Sequence, residues 1–238
     1  MSKRVSSIVI IVIFGVLSCG VARGESGITG FISATVGTFN IKFPQSGPGG
    51  EQIGEEVGFD DVYGSKNGLS YGIEGGIGNY EQGIFGVVKY RYWKKPGTPE
   101  FYEYGDIDIS VSDSKAEWSQ YFIMLGPRYF VTSQLEDGGS ILPFLGGGLV
   151  YTRAKEFMEM TFYYENDYYY TKAENEVDGL GFYVEAGIDL LAGSNASLRG
   201  TADYSFLKLK GKYPDGTTVE IDGGGGLFIG ASLNFFIK

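Results

Sequence analysis

From residue 28 to the C-terminus, apolar and polar residues alternate with a period of two. In residues 69–79, for example, Leu69, Tyr71 and Ile73 fall on one face and Glu74 falls on the other. A period of two predicts half-buried β-strands and not amphipathic helices. Six segments alternate cleanly, and these are 69–79, 84–93, 119–131, 182–191, 198–207 and 227–237.

Two further segments predict strands of less regular pattern, which brings the expected number to eight. In residues 28–43 the apolar set moves from Ala34 and Val36 to Phe39 and Ile41, which predicts a bulge or a strand leaving a membrane. Residues 141–154 are apolar on both faces, so the sequence does not indicate which of their faces points inward.

The connections between these strands alternate in length. Short ones fall near residues 79–83, 134–140 and 193–196. Longer polar ones cover 44–67, 95–117 and 156–178, with a smaller one at 214–218. Strands of about 9–11 residues with short turns on one side and long loops on the other are typical of a transmembrane β-barrel. The predicted fold class is therefore all-β, an eight-stranded antiparallel up-and-down transmembrane β-barrel, closed because lipid cannot satisfy an open sheet edge.

A soluble barrel of lipocalin type, a ligand carrier with its apolar face inside, is the structural alternative. Two features of the strands favour apolar side chains on the outside. The polar faces are rich in glycine and would make a poor hydrophobic core. Aromatic residues lie near strand ends, as a membrane-interface girdle requires. The predicted girdle residues are Tyr90, Tyr92, Trp93, Trp118, Tyr121 and Tyr151.

The N-terminus has the pattern of a secretory signal peptide. Lys3 and Arg4 precede an apolar stretch of ten residues at 8–17, which is too short to span a bilayer, and small residues follow it. We expect residues 1–24 to be removed and residues 25–238 to form the barrel domain. Cys19 lies in a degenerate lipobox, so cleavage before it and attachment of lipid is the alternative.

Composition removes several classes of function. The chain contains no histidine and one cysteine, which excludes His-based catalysis, imidazole metal sites and disulfide frameworks. Its formal net charge of −10 disfavours nucleic-acid binding. The acidic residues concentrate in segments 44–67, 96–117, 155–178 and 211–222. We therefore expect no enzymatic activity and no cofactor.

Charged residues also fall on the polar faces of the strands. With the apolar faces outward, these side chains would lie in the barrel interior, the lumen. Since unpaired buried charge is costly, they should pair with one another and plug the lumen. A narrow ion path or gate is the functional alternative. The predicted lumen residues are Glu74, Lys89, Arg91, Arg128, Glu185, Asp189, Arg199 and Asp203.

Two loop segments are candidates for binding. Asp106, Asp108 and Glu117 match part of the spacing of a calcium loop, but alternating apolar residues there favour a projecting strand. Diffuse binding of divalent cations by acidic loops is the broader expectation. Residues 162–170 combine tyrosines with acids as a loop or strand extension, so 156–178 is a candidate surface for a partner. Four consecutive glycines at 223–226 predict a bend in a strand.

Several local strings resemble the small outer-membrane barrels of the OmpA, OmpX and opacity-protein type. They begin at Gly126, Leu142, Gly181, Ser197 and Gly230 and read GPRYF, LPFLGGGL, GFYVEAGID, SLRGTADYSF and GASLNFFIK. The resemblance covers residues 28–238. The chain departs from that family by ending in Phe-Phe-Ile-Lys, whereas such barrels usually end in an aromatic residue.

The resemblance implies a protein of the outer membrane of a diderm bacterium, in contact with its lipid. The expected role is non-enzymatic, structural or surface-interacting. The alternative is a small porin-like channel or transporter for ions or small solutes.

Overall fold

Almost all of the residues that the structure describes are in β-strands. A computed structural model describes residues 28–42, 63–79, 82–98, 110–131, 141–164, 167–192, 195–212, 218–221 and 223–237. The strands are β1 Ile28–Lys42, β2 Asn67–Asn79, β3 Ile84–Gly97, β4 Ser110–Phe130, β5 Ile141–Tyr164, β6 Asp167–Leu191, β7 Ala196–Lys212, β8 Thr218–Ile221 and β9 Gly225–Ile237.

The strands form a closed ring in which every pairing is antiparallel. Strands β1 to β7 pair in chain order, β7 pairs with β9, and β9 pairs with β1. Strand β8 has four residues, pairs with the end of β7 and precedes β9 along the chain. Strands β8 and β9 therefore both lie beside β7, one after the other, and together count as one strand of the ring. Gly224, between them, has a φ of 82°, a conformation that glycine adopts without strain. The fold is the predicted eight-stranded barrel.

The apolar faces of the strands point outward, as the alternation predicts. Leu69, Leu125 and Phe182 are 64%, 57% and 65% exposed, although each is large and apolar. Along each of these strands, the residues that alternate with the outward ones point into the lumen and are buried or half-buried. Such an exposed apolar belt belongs in lipid and not in water. The inward and outward assignments of all six cleanly alternating segments are correct.

Strand β1 contains no bulge, so that interpretation of its pattern is wrong. Its register is continuous from Ile28 to Asn40 against β2 and from Gly30 to Lys42 against β9. The apolar set moves because Phe39 and Ile41 occupy the inward face, where both side chains are fully buried. The lumen itself becomes apolar at this level.

The two tryptophans of the predicted girdle also lie in the lumen. Trp93 and Trp118 are buried, and the Trp93 ring lies 5.6 Å from that of Phe39. An eight-stranded barrel is filled by its own side chains, and an indole ring occupies much of that space. The four predicted girdle tyrosines do face outward, with Tyr71 beside them. Their ring centroids are 5.4 Å apart for Tyr71 and Tyr92, 6.2 Å for Tyr90 and Tyr121, and 6.4 Å for Tyr121 and Tyr151.

Strand β5 turns its even-numbered residues inward, which settles the face that the sequence left open. Leu142, Phe144 and Val150 are buried, while Leu145 and Leu149 are exposed. Glycines on the inward face let neighbouring strands approach closely. A Cβ atom at position 148 would lie 2.2 Å from the backbone oxygen of Leu125, so any larger residue there would push β4 and β5 apart.

The described residues of 156–178 form strands and not a loop, so the strand extension, one of the two alternatives for 162–170, is confirmed there. Strands β5 and β6 continue far beyond the tyrosine level and pair without interruption from Tyr164 and Asp167 onward. Strand β4 likewise begins at Ser110, inside the predicted loop 95–117. We call residues 155–176 the outer hairpin. Both of its faces carry polar residues, so the apolar alternation that reveals the other strands is missing there.

Candidate functional site

The lumen is filled in three layers. At the end with the short connections lies a lower cluster of Phe31, Phe85, Val87, Phe130, Leu142 and Phe144. At the opposite end lies an upper cluster that includes Phe39, Trp93, Trp118, Phe122, Leu209 and Phe228. Charged residues occupy the level between the two clusters. Strand β3 passes through all three layers. Its inward residues pass from Phe85 and Val87 through Lys89 and Arg91 to Trp93.

All eight charged residues predicted for the lumen lie in this middle layer. None is more than 6% exposed. They come from five strands, and each occupies an inward position of its strand. The strand period places each of these residues on the inward face of its strand, although the sequence could not say which acid meets which base.

Arg128 connects two acidic residues from different sides of the barrel. Its Nη1 and Nη2 atoms donate to the two oxygens of Glu74 at 2.6 and 2.9 Å. Its Nε and Nη2 atoms donate to the two oxygens of Glu185 at 3.0 and 2.9 Å. Bidentate guanidinium–carboxylate pairs of this kind are among the strongest hydrogen-bonded contacts in proteins.

The remaining charges extend this contact in both directions. Lys89 donates to Glu185, and its Nζ atom lies 3.8 Å from an oxygen of Glu74 and 3.8 Å from one of Asp203. Arg91 donates to both oxygens of Asp203 at 2.8 and 2.5 Å.

At the lower end, Arg199 donates to both oxygens of Asp189, at 2.6 and 2.8 Å, and also to Glu74. Acids and bases therefore alternate through one connected network.

Aromatic rings from both apolar clusters lie over the cations of the charged layer. The guanidinium carbon of Arg91 lies 3.5 Å from the ring centroid of Phe228 in the upper cluster. Those of Arg128 and Arg199 lie 4.5 Å from Phe144 and 4.8 Å from Phe31 in the lower cluster. These contacts are favourable cation–π arrangements in a desolvated site. They also fill the space that an ion path would need.

A cavity of about 10 Å³ lies beside Glu74, Lys89 and Arg91. This volume has room for roughly one water molecule. Gly72 also lines the cavity, and a Cβ atom at that position would lie 2.2 Å from the backbone oxygen of Tyr90 on β3. Among the described residues, the network and the two apolar clusters thus fill the lumen.

Of the three calcium candidates, Glu117 alone lies in the part of the chain that the structure describes. Glu117 lies in β4 and pairs with Lys94, with 2.6 Å between Oε2 and Nζ. Asp106 and Asp108 lie outside the described residues, as do the predicted signal segment 1–24 and Cys19. Within the described ranges, no three His, Cys, Asp or Glu side chains are placed to hold a metal ion. No helix among the described residues is long and apolar enough to cross a membrane.

The outer hairpin presents aromatic and charged side chains to solvent. Tyr168 and Tyr170 are 73% and 61% exposed. Tyr170 donates from its hydroxyl to Glu159 at 3.0 Å, and Lys172 pairs with Glu174 at 2.9 Å. Exposed tyrosines combined with charges make an adaptable contact surface.

A half-buried carboxyl group at the base of the outer hairpin escaped the sequence reasoning. Glu156 accepts hydrogen bonds from the Tyr63 hydroxyl and the Asn175 amide, both at 3.2 Å. Burial raises the pKa of Glu156, and those hydrogen bonds offset only part of this. Burial and the neighbouring Glu156 together raise the pKa of Tyr63. Tyr63 precedes β2 by four residues and carries no periodic signal, so only the fold reveals this contact.

Solved structures of small outer-membrane barrels resemble this chain, as the local strings imply. Neisserial surface protein A matches with 15% identity and a TM-score of 0.46, over 90% of this chain and 99% of its own. OprG from Pseudomonas aeruginosa matches with 15% identity and a TM-score of 0.48, over 89% and 97%. Ail of Yersinia pestis, solved with the heparin analogue sucrose octasulfate, matches with 10% identity and a TM-score of 0.44, over 89% and 100%. No family model and no curated protein matches the chain. At these identities the likeness concerns the fold alone.

Proposed function

We propose that this protein is a non-enzymatic barrel of a bacterial outer membrane that acts at the cell surface and does not conduct. Residues 1–24 would direct its export, and residues 25–238 would form the inserted barrel. The outward apolar belt with its tyrosine level supports insertion in lipid. The placement of the outer hairpin beyond that belt supports a role outside the membrane.

One observation carries the proposal that the barrel does not conduct. The eight buried charges form a single alternating network, and an apolar cluster closes the lumen on each side of it. Opening a path would leave charges unpaired in a desolvated interior, at a cost of several kcal/mol. A channel would instead keep its charged groups around a water-filled passage.

The outer hairpin is the part of the protein that we propose meets a partner. Its tyrosines supply contact area at low entropic cost, and its charges supply specificity. The acidic loops would also attract divalent cations from the medium without a dedicated site. Ail was solved with a sulfated sugar analogue bound, which places a ligand on a barrel of similar fold but assigns none to this one.

Cysteine labelling in intact cells tests the location and exposure of these parts. The chain has a single native cysteine, Cys19, so a Tyr168→Cys variant introduces a reporter on the outer hairpin. We expect a membrane-impermeant maleimide to label it in intact cells. The matched control is Leu145→Cys, at a position that is 62% exposed but faces lipid, and it should not react.

The same protein preparations test insertion in the membrane. We expect the purified mature chain to need detergent and to show the heat-modifiable gel migration of a folded barrel. A monomer that remains stable in buffer without detergent would contradict the proposal and favour the soluble carrier. Absence of labelling at position 168 would contradict the surface role.

A further inference from the structure

The upper part of β6 has a neighbour on one edge only, within the residues that the structure describes. Strand β5 pairs with β6 along its whole length, from Asp167 to Leu190. Strand β7 pairs with β6 from Val177 to Leu191 and stops there. Among the described residues, 170–176 therefore form a free sheet edge above the barrel. Free edges of this kind readily pair with another strand.

The register of β6 and β7 identifies the backbone groups that point to this edge. The Ala192 N–H donates to the oxygen of Ala196 at 2.9 Å, directly beyond the last pair of these two strands. Backbone groups alternate from one edge to the other along a strand, so the even-numbered residues of β6 direct their N–H and C=O toward the β7 side. At the free edge these residues are Tyr170, Lys172, Glu174 and Glu176.

The charges on this edge are complementary to themselves. Lys172 and Glu174 lie on the same face of β6 with Ala173 between them. If a second copy pairs antiparallel about Ala173, Lys172 lies opposite the partner's Glu174, and the same contact occurs again on the other side of the two-fold axis. Directly opposed charges of opposite sign stabilise an antiparallel pair. The small side chain of Ala173 suits the central pair, where the two strands approach most closely.

An exposed lysine on an edge strand usually prevents such pairing, because two lysines would repel. Here the nearby Glu174 removes that repulsion in the register about Ala173, because each lysine then lies opposite a glutamate. In a single copy its carboxylate pairs with Lys172 at 2.9 Å, and in the pair each group would exchange that contact for the equivalent one on the second copy. The edge is thus protected against most strands and complementary to its own sequence.

We propose that residues 170–176 of β6 form a homotypic contact that joins two copies of this protein on facing membranes. In every copy β6 runs from the hairpin tip toward the short connection at the other end of the barrel. An antiparallel pair therefore places the two barrels head to head, and not side by side in one membrane. The inference rests on the proposed surface role and names its partner, a second copy of this chain.

A contact of seven residues on each side is small and is weak as a single interaction. Many copies on two apposed surfaces act together, and such multivalency strengthens binding by about 10²- to 10⁴-fold. We therefore expect clustering of membranes that carry the protein, and little dimer in dilute detergent.

Clustering of reconstituted vesicles tests the inference. The protein is inserted into vesicles of zwitterionic lipid in two populations with different fluorophores, and their association is followed by energy transfer. Wild-type vesicles should cluster, and added salt should weaken the effect because the opposed charges are exposed. Lys172→Glu or Glu174→Lys turns each opposed pair into two like charges, so we expect clustering to fall by about tenfold or more.

Mixing the two variants provides the decisive arm. Vesicles with Lys172→Glu and vesicles with Glu174→Lys should cluster with each other while neither clusters with itself. The double variant, with both substitutions in one chain, should again cluster with itself. The matched control is Lys210→Glu, which makes the same change of charge on β7, a strand that is paired at this residue on both edges, with β6 and with β8. It should cluster like wild type.

The inference is overturned if wild-type vesicles do not cluster, or if both single variants cluster like wild type. It is also overturned if the mixed population stays dispersed, because the proposed register then does not form. Heat-modifiable migration is measured on the same vesicles. A folded barrel that fails to cluster would refute the homotypic contact and leave the proposed membrane location intact, whereas an unfolded or soluble chain would refute that location.

Discussion

The lumen and the outer hairpin contain the same types of ion pair in opposite surroundings. In the lumen, Arg128 is fully buried and contacts two carboxylates at once. On the outer hairpin, Lys172 and Glu174 form one exposed pair, with side chains 48% and 64% accessible. Water and salt can replace the partner of an exposed charge but not that of a buried one. Charge in the lumen therefore fixes the structure, and charge on the hairpin stays available for contacts with other molecules.

The largest effect should come from removing the centre of the lumen network. Arg128→Ala leaves Glu74 and Glu185 each without two of its donors in a desolvated layer. Loss of one partner of a buried pair typically costs about 3–5 kcal/mol. Urea unfolding in lipid vesicles, followed by gel migration, would measure this. A loss below about 1 kcal/mol would mean that water reaches the network and that the lumen is not closed.

The next effect concerns the coupling between two members of the network. Arg91→Ala and Asp203→Ala should each destabilise the barrel, and the double variant should cost less than the two losses added together. Because both side chains are buried and bonded twice to each other, we expect a coupling energy of about 1–3 kcal/mol. Matching unfolding experiments on the four chains give this value directly. Simple additivity would show that the two residues act independently.

These two predictions concern residues that the sequence already placed in the lumen, and the reason is physical. A strand in lipid must show apolar side chains outward, so every charge on the opposite face is forced inward. The outer hairpin has no such constraint, because it lies beyond the apolar belt and either of its faces can carry polar residues. The sequence around Lys172 and Glu174 therefore has the polar pattern of a loop, although strand β6 continues through both residues.

The aromatic residues illustrate a second limit of the sequence pattern. Period two separates the two faces of a strand, but it does not indicate how far along the lumen a residue lies. Trp93 follows Lys89 and Arg91 on the same inward face, yet its position near the strand end suggested the membrane interface. Only the three-dimensional barrel shows that the charged layer has apolar layers on both sides. The contact of Glu156 with Tyr63 joins distant segments and has no local pattern at all.

A smaller effect should appear at the base of the outer hairpin and depend on pH. Burial raises the pKa of Glu156, so its charged form is disfavoured in the folded protein at neutral pH. Glu156→Gln should therefore raise the thermal stability of the hairpin region at neutral pH. Stability from a raised carboxyl pKa is present in acid and is lost as the pH rises through that pKa.

The advantage of the Glu156→Gln variant should accordingly shrink as the pH falls toward the ordinary carboxyl range. Melting curves of wild type and variant across this pH range would measure the difference. A variant that is less stable at every pH would show that the carboxylate is needed for its hydrogen bonds with Tyr63 and Asn175.

The smallest effect should come from the exposed pairs of the hairpin. Glu176 contacts Arg153 and Lys155, but about a third or more of each side chain is accessible to solvent. Exposed pairs contribute roughly 0–1 kcal/mol, and salt screens them further. We expect Glu176→Gln to change the unfolding free energy by less than about 1 kcal/mol. An effect as large as that of Arg128→Ala would contradict the distinction between the two regions.

Electrical recording tests the central claim, that the charged network closes the lumen. The refolded mature protein is inserted into a planar lipid bilayer, and insertion is verified by heat-modifiable migration of the same preparation. The account predicts no discrete single-channel current from the wild-type protein at moderate voltage. Reproducible current steps, with an ion preference that shifts when Arg91 or Glu185 is reversed in charge, would show that the network lines a pore and would contradict the account.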